Sequence, residues 1–306
     1  MSIILDGTSG ITTPTTNGTG EHVTSVTGFK NRIINGGMVI DQRNAGASKT
    51  LVAGSSTYVL DRFYVATNGG AGVVQQVAGS GFTKAMRITG AAGITDGYFG
   101  QKIESYNISD CASTTVTYTV RASSSVLTSL TWYARFPTAQ DNYAGVTAIA
   151  SGTITINSTP TNYSFQIALP SGVTNGFELY FTFGAFTSGT LDITGVQLEK
   201  GSVATSFDYR PYSTELSLCQ RYYYNSGSTR ASQWQGYGVN SQAIYVSVNY
   251  PVKPRTTPTI ALTNSATTGG SLSVVVTGTD AFVWGGAGGT TGTNYMFTDY
   301  TMSAEL

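Results

Sequence analysis

The segment TTVTYTVR, residues 114–121, alternates hydroxyl and apolar side chains with a period of two. Val116, Tyr118 and Val120 share one face of such a strand, and the intervening threonines share the other. This pattern is typical of an antiparallel strand that buries one face and keeps the other polar. The same alternation recurs in residues 130–136, 163–169 and 177–183. Strands at intervals of about 10–15 residues predict an antiparallel β-sandwich of the jelly-roll kind.

A further strand changes its alternation halfway along. Leu191 and Ile193 have one parity, whereas Val196 and Leu198 have the other, and Gly195 lies between them. One extra residue in a strand shifts the facing of everything after it, and glycine tolerates the backbone that this requires. We therefore predict a β-bulge at Gly195.

The chain carries little charge. Only 10% of its 306 residues are charged, 16 basic against 16 acidic, so the formal net charge is zero. Because no basic field would attract a phosphate backbone, we do not expect nucleic-acid binding. The sequence contains no run of about 18 apolar residues, so we do not expect membrane insertion. Hydrophobic residues make up 40% of the chain, which suffices for a packed core.

Turn and strand signals divide the chain into four parts. Residues 1–30 combine Gly, Thr, Pro and Asn without a period, and we predict an extended arm there. Residues 31–212 form the predicted jelly roll, residues 213–224 a short linking helix, and residues 225–306 a second, smaller β domain. No repeat of fixed period is present in the sequence, which disfavours a β-helix or a propeller.

The linking helix has recognisable start signals. Ser213 is a candidate N-cap, and Glu215 falls in the first turn, where the helix dipole favours a carboxylate. Leu216, Cys219 and Tyr223 would share one face of this helix. We expect that face to pack the joint between the β domains. We also expect both cysteines of the chain to be buried, reduced thiols.

Strand signals return after the helix. Residues 243–250 predict one strand, and Leu272, Val274 and Val276 make another apolar stripe. The run GGAGGTTG, residues 285–292, lacks the lysine and the following helix of a phosphate-binding loop. We predict a flexible turn between the last two strands there.

The sequence offers no recognisable catalytic site, so we predict a protein that is not an enzyme and needs no cofactor or metal. Its single histidine, His22, lies in the predicted arm, and no rigid base is available for a Ser or Cys nucleophile. Closely spaced Cys and His ligands for zinc are missing from the sequence. A glycan-hydrolysing pair of carboxylates stays open. We interpret Glu178, on the polar side of a strand, and Glu199, at a strand end, as surface or turn residues.

Asp61 and Arg62 are neighbours on a predicted strand, where adjacent side chains point to opposite faces. We predict a structural role for this pair, with one of the two packed and hydrogen-bonded against the sheet.

Several segments resemble tail fibre and receptor-binding proteins of bacteriophages. NRIINGGMVIDQRNAGAS, residues 31–48, is similar to the start of the jelly-roll module of that family, and residues 60–63 are similar to its second strand. ITGVQLEKGSVATSFDYRPYSTELSLCQRYYY, residues 193–224, resembles the last strand of the module with the turn and helix that follow. The ending FTDYTMSAEL, residues 297–306, resembles the last strand of such proteins.

The family consists of virion appendages, so the resemblance implies a homotrimer whose residues 1–30 bind the phage particle. The jelly-roll module of the family looks like carbohydrate-binding modules, which implies recognition of a bacterial surface polysaccharide. The expected function is that of a phage tail fibre subunit in host adsorption. Two alternatives stay open: a head fibre, decoration or baseplate component without receptor affinity, and a tail spike that degrades polysaccharide.

Four aromatic residues in the terminal domain are the candidate glycan contacts: Trp234, Tyr237, Tyr245 and Trp284. Sugars stack their apolar faces on exposed aromatic rings, and hydroxyl-rich loops supply hydrogen bonds. Trp234 and Tyr237 lie in SQWQGYG, which we interpret as a loop. The alternative is that these rings pack a core or a contact between subunits.

Overall fold

The computed structural model describes residues 29–306 except residues 240–241, 269–270 and 288–290, together with two short strands near the start. These strands, β1 (Ile4–Asp6) and β2 (Gly10–Thr12), form an antiparallel pair. The rest of the predicted arm, including His22, lies outside the described residues. The division of the chain into domains at residues 30 and 212 stays a prediction.

Two six-stranded antiparallel sheets form a jelly-roll sandwich within residues 29–211, which confirms the predicted fold class. Its strands are β3 (Lys49–Thr50), β4 (Thr57–Leu60), β5 (Phe63–Asn68), β6 (Val73–Ala78), β7 (Lys84–Thr89), β8 (Asp96–Ile103), β9 (Thr115–Ser124), β10 (Ser129–Ala139), β11 (Asn142–Thr155), β12 (Thr161–Ala168), β13 (Phe177–Phe183) and β14 (Thr190–Lys200). The first sheet has the order β11-β10-β13-β8-β5-β4. The second has the order β12-β9-β14-β7-β6-β3.

Aromatic rings fill much of the space between the two sheets. The rings of Trp132 and Phe165 stack with their centroids 4.2 Å apart, and those of Phe99 and Phe181 stack at 5.2 Å. Trp132, Phe165 and Phe181 come from the predicted period-two strands, whose apolar faces point into this core as predicted. Phe99 comes from β8. Stacked pairs of this kind add about 0.5–1.5 kcal/mol to the stability that burial alone provides.

The predicted bulge in β14 is confirmed. The pairing of β14 with β9 shifts register between Thr194 and Gln197, and Gly195 has a φ of +57°. Because of this shift, Ile193 and Val196 are both buried although they differ in parity.

The linking helix, α2 (Tyr212–Gln220), follows a single helical turn, α1 (Ser105–Ile108), in chain order. The prediction that Ser213 caps α2 is wrong, because the residue before its first turn is Pro211 and no side chain caps that end. Glu215 lies in the first turn as predicted. Its buried carboxylate accepts a hydrogen bond from the backbone amide of Asn35 and forms an ion pair with Arg210. No helix within the described residues is long and apolar enough to cross a membrane.

The predicted end of the helix at residue 224 is also wrong. The chain leaves the helix at Arg221, and Tyr223 belongs to the next strand rather than to a helical face shared with Cys219. Tyr222 takes the buried position instead, beside Cys219 and Leu216. The reason is that residues 223–225 pair with the last strand of the chain.

The described part of residues 223–306 forms two further sheets, as expected for a second, smaller β region. Its strands are β15 (Tyr223–Asn225), β16 (Ser232–Gly238), β17 (Ala243–Asn249), β18 (Thr259–Thr267), β19 (Ser273–Thr277), β20 (Ala281–Ala287) and β21 (Gly292–Ser303). β21 is the central strand of one sheet, with β15 and β16 on one side and β18 on the other. The other sheet has the order β17-β20-β19.

Two predictions for this region are wrong in part. Residues 285–287 of the predicted glycine-rich turn pair within β20, while residues 288–290 lie outside the described part of the chain. In β19 the register shifts between Val274 and Val276, so Val276 is exposed rather than part of the apolar stripe.

Buried ion pairs join the jelly roll to the last residues of the chain. Arg62 pairs with Glu305, which also accepts a 2.8 Å hydrogen bond from Arg43. The guanidinium carbon of Arg62 lies 3.6 Å from the ring centroid of Tyr222. Glu104 accepts a 2.8 Å hydrogen bond from the Tyr222 hydroxyl. The β regions are therefore linked by charge and ring contacts as well as by the helix.

The predicted placement of Asp61 and Arg62 on a strand is wrong, because both lie in the turn between β4 and β5. Arg62 adopts a φ of +70°, and both side chains are buried. Asp61 accepts hydrogen bonds of 2.7 Å from the backbone amide of Gln42 and 2.6 Å from its side chain. Asp61 and Arg62 therefore both have a structural role, whereas the prediction placed only one of them against the sheet.

Candidate functional site

Two of the four predicted glycan contacts pack the core of the terminal β region. Trp284 is completely buried, and its indole nitrogen donates a 2.8 Å hydrogen bond to the hydroxyl of Ser232. Trp234 points inward from β16 and packs against the same core. The segment SQWQGYG is a strand rather than the predicted loop, so its side chains alternate between core and surface. Trp284 is therefore removed from the candidate contacts, and the interpretation of Trp234 as a loop residue is wrong.

The other two candidates are exposed but lie on different sheets. Tyr237 is 73% exposed on β16, next to β21. Tyr245 is 61% exposed on β17 and pairs with Gly285 of β20. The structure therefore does not bring the four predicted residues together into one site.

Tyr237 shares its face of the sheet with two aromatic residues that the sequence did not single out. Tyr295 and Phe297 alternate on β21, and their rings stack at 6.2 Å. The guanidinium of Arg230 lies 4.1 Å from the Phe297 ring. We call Tyr237, Tyr295 and Phe297 the terminal strip.

A longer aromatic surface crosses the first sheet of the jelly roll on the face opposite its core. We call it the tyrosine row, and its members are Tyr58, Tyr64, Tyr98, Tyr180 and Tyr133. Each comes from a different strand of the sheet, in the order β4, β5, β8, β13 and β10. Successive rings lie 5.2–6.3 Å apart, and Tyr180 and Tyr133 stack with an interplanar angle of 14°.

The register of the strands explains how these distant residues meet. Tyr64 and Tyr180 both pair with Gly100 of β8, and Tyr180 pairs in turn with Tyr133. A Cβ atom on Gly100 would come within 2.6 Å of the Tyr64 hydroxyl and of the Tyr180 side chain. A glycine is thus needed where the two rings approach each other across β8.

One end of the row is covered and the other is open. The Tyr58 hydroxyl donates a 3.0 Å hydrogen bond to the Leu306 oxygen, and Tyr64 is buried. Tyr98 and Tyr180 are half-buried, and Tyr133 is 37% exposed. A ligand would therefore reach the rings of β8, β13 and β10, which span two strand spacings or about 10 Å.

Glu178 lies beneath the row and connects it to the guanidinium of Arg135. Its carboxylate accepts 2.5 Å hydrogen bonds from the Tyr64 hydroxyl and from Nε of Arg135. Burial, followed by the charge of Glu178, raises the pKa of Tyr64 well above its ordinary value, so this phenol stays protonated. Glu178 is on the polar side of its strand as predicted, but it is buried and not a surface residue. Its role is to hold Arg135 over the ring of Tyr180, 4.6 Å from the centroid.

Hydroxyl groups border the open end of the row. Thr131 and Thr182 pair across β10 and β13, and Thr131 faces Thr153 of β11 with 3.3 Å between their hydroxyl oxygens. Ser151 of β11 pairs with Tyr133 and is exposed. The open rings are thus surrounded by small donors and acceptors rather than by bulky apolar groups.

Neither a thiolate nucleophile nor a metal-binding cluster is found among the described residues. Burial raises the pKa values of both thiols, that of Cys219 well above the ordinary value, so neither Cys111 nor Cys219 is poised as a thiolate. No group of three or more His, Cys, Asp or Glu side chains among these residues could hold a metal ion. Glu199 is buried and accepts from the amide and hydroxyl of Thr205, so it holds the turn after β14, in line with its predicted turn role.

Comparisons with known proteins do not assign the chain to a family. It matches no family model, and no curated protein matches it. Among solved structures, a CBM4 protein is similar over 55% of this chain and 98% of its own, with 19% identity and a TM-score of 0.36. The enzymatically active domain of tailspike protein 4 from bacteriophage CBA120 is similar over 56% of this chain and 22% of its own, with 19% identity and a TM-score of 0.36.

A third similar structure is the CBM22-1 xylan-binding domain from Paenibacillus barcinonensis, with 8% identity and a TM-score of 0.35. The similarity covers 59% of this chain and the whole of that domain. At this level of similarity the functions of these proteins do not transfer to the chain.

Proposed function

We propose that the protein is a non-enzymatic phage tail fibre subunit that adsorbs to bacteria by binding a surface polysaccharide along the tyrosine row. The observation that carries this proposal is the open end of that row, where Tyr98, Tyr180 and Tyr133 lie on one polar sheet face beside threonine and serine hydroxyls. A tyrosine ring loses little conformational entropy when it is held in place, so it can stack on a sugar. Neighbouring hydroxyls can form hydrogen bonds with the sugar's hydroxyls. Such a site binds weakly on its own.

The terminal strip is a second proposed contact. Tyr237 keeps its role from the sequence prediction, now with Tyr295 and Phe297 rather than with the buried Trp284. Gln233 and Gln235 alternate with the inward-facing residues of β16 and lie on the same outer face as Tyr237. Tyr245 stays a candidate by itself, because it lies on the other sheet.

The virion part of the proposal is supported by the sequence resemblance of residues 31–48 and 193–224 to phage fibres. On this proposal residues 1–30 bind the particle and three copies form the fibre. Three weak sites on one trimer would bind a repeating polysaccharide more tightly through effective concentration. Light scattering coupled to size-exclusion chromatography tests the assembly: a trimer mass is expected, and a monomer would contradict it.

A glycan array of bacterial capsular polysaccharides and lipopolysaccharide fragments tests binding. The purified full chain is expected to bind at least one of these glycans, and Tyr133→Ala is expected to lose about fivefold or more in affinity, since a stacked ring contributes about 1 kcal/mol or more. Tyr106→Ala is the matched control, because Tyr106 is 78% exposed but lies outside the row. No binding, together with unchanged phage adsorption in the presence of free protein, would favour a structural virion component without receptor affinity.

The degrading tail spike is the other alternative. Glu178 is engaged by Tyr64 and Arg135, and Glu199 by Thr205, so neither carboxylate is placed as a free acid or nucleophile. Incubation with the polysaccharide that binds best should release no reducing ends. Their release would overturn the proposal that the protein is not an enzyme.

A further inference from the structure

The open end of the tyrosine row carries a partly exposed guanidinium whose two outer nitrogens have no hydrogen-bond partner among the described residues. Arg135 bonds to Glu178 through Nε alone, at 2.5 Å. Its two Nη groups make no other hydrogen bond within the part of the chain that the structure describes, and one third of the side chain is exposed. Because the Nε bond and the Tyr180 ring fix the guanidinium plane, the remaining donors are held in one orientation.

A second cation lies on the same row of the sheet. Lys102 of β8 pairs with Glu178 of β13, which pairs with Arg135 of β10, so the two cations flank one buried carboxylate. The Lys102 ammonium lies 5.0 Å from the ring of Tyr143 and donates to the Leu306 oxygen at 3.1 Å. Lys102 is thus engaged on the covered side of the row, and Arg135 is the cation of this pair whose remaining donors face the open end.

A second acidic residue on this face, Asp96, lies towards the opposite end of the strands. Asp96 is the first residue of β8, six residues from Lys102, which corresponds to about 20 Å along a strand. Its carboxylate already accepts hydrogen bonds from Asn68 at 2.5 Å and from Thr95 at 3.0 Å. An anionic ligand on the row would therefore be drawn to the Arg135 end and away from Asp96.

From this arrangement we infer that the polysaccharide bound by the row is acidic, with an anionic group of one sugar unit seated on the free Nη donors of Arg135 while a neighbouring unit stacks on Tyr133. A carboxylate of a uronic acid and a phosphate of a teichoic-type chain share the chemistry that such a planar fork recognises. This inference rests on the proposed glycan binding and deepens it.

The test compares binding of the full chain to an acidic capsular polysaccharide and to the same polysaccharide after its carboxyl groups are reduced to alcohols. A polysaccharide that bears phosphate monoesters as side groups, before and after their removal by a phosphatase, forms the second arm, because removal of a backbone phosphate would cleave a teichoic-type chain. Removing the anionic group is expected to weaken binding about tenfold or more in one arm, because a charge-assisted hydrogen bond exceeds a neutral one by about that factor. Added salt should reduce the preference for the charged form.

Variants separate the charge from the packing. In the double variant Arg135→Gln, Glu178→Gln both charges of the pair are removed while two amides remain in similar volume, so the fold is preserved better than by losing one partner. This variant should bind charged and uncharged glycans alike, whereas Arg135→Lys should keep part of the preference. Circular dichroism and thermal unfolding confirm that each variant is folded.

The outcomes distinguish this inference from the proposed function. Binding that is lost in Tyr133→Ala but unchanged by removal of the anionic groups would overturn the acidic ligand and leave glycan binding intact. A preference for the charged glycan that survives in the double variant would place the anion elsewhere and overturn the inference. Binding to no glycan in either arm would overturn both.

Discussion

At the scale of single residues, Asp61 shows how a buried carboxyl limits stability. Burial raises its pKa from 3.8 to about 6, although hydrogen bonds from Gln42 and the charge of Arg43 act in the opposite direction. A pKa that is higher in the folded state means that the protonated form is favoured by folding. The stability gained from this group is therefore fully present below about pH 4 and is lost as the pH rises through about 6.

Replacing this residue should remove that pH dependence. Between pH 4 and pH 7, a shift of this size corresponds to about 2 kcal/mol. We expect the free energy of unfolding of Asp61→Asn, relative to the unmodified protein, to rise by that order over this range. Urea denaturation at pH 4, 5.5 and 7 measures it, and a difference that stays constant with pH would show that Asp61 titrates as it does in the unfolded chain.

The alternation of residues along each strand also determined how much of the tyrosine row could be predicted. Tyr180 lies between the core residues Leu179 and Phe181, so its place on the polar face could be read from the alternation. The same holds for Tyr133 between Trp132 and Ala134. An aromatic residue on the polar side of a predicted strand was therefore an available signal. The row itself could not be found, because it depends on strand order and register between residues far apart in sequence.

At the scale of elements, the period-two strands and the bulge were predictable because each depends on a few neighbouring residues. The linking helix was predicted at its centre but not at its ends. Its last predicted residues pair with β21, about 80 residues further along the chain. Such a long-range contact cannot be predicted from the neighbouring residues alone. The segment SQWQGYG was misread for the same reason, since its two glycines suggested a loop while pairing with β21 makes it a strand.

The bulge in β14 gives a test at this scale. Gly195 has a φ of +57°, and a Cβ atom there would lie 2.5 Å from the Phe82 ring. We expect Gly195→Ala to lower the free energy of unfolding by about 2 kcal/mol or more, because the left-handed backbone alone costs about 1–2 kcal/mol. Urea denaturation at neutral pH measures the change.

Gly184→Ala is the matched control for this substitution. No atom lies within 4 Å of a Cβ built on Gly184, and its φ is outside the left-handed region. Its effect on stability should be small, within about 1 kcal/mol. Equal losses in the two variants would show that the bulge needs no glycine.

At the scale of the whole molecule, the buried pair of Arg62 and Glu305 ties the jelly roll to the residues that follow β21. Arg62 is 1% exposed and also donates to the carbonyl of Lys102. Removal of the carboxylate would leave a buried guanidinium without its counter-charge. Breaking such a pair costs about 3–5 kcal/mol.

We therefore expect Glu305→Gln to lower the unfolding temperature clearly in calorimetry. Lys253→Ala serves as the control, because Lys253 and Asp280 form an exposed pair at 3.0 Å. An exposed pair contributes about 0–1 kcal/mol, so the control should unfold close to the unmodified protein. If the two variants unfold at the same temperature, the buried pair does not hold the β regions together.

The central claim for the molecule is that the open end of the tyrosine row is where a polysaccharide binds. Isothermal titration of the polysaccharide that binds best on the array, into the unmodified protein, Tyr133→Ala and Tyr106→Ala, tests it most directly. The prediction is a loss of about fivefold or more in affinity for Tyr133→Ala and a value close to the unmodified protein for Tyr106→Ala, which lies outside the row. Unchanged affinity in Tyr133→Ala would contradict the claim.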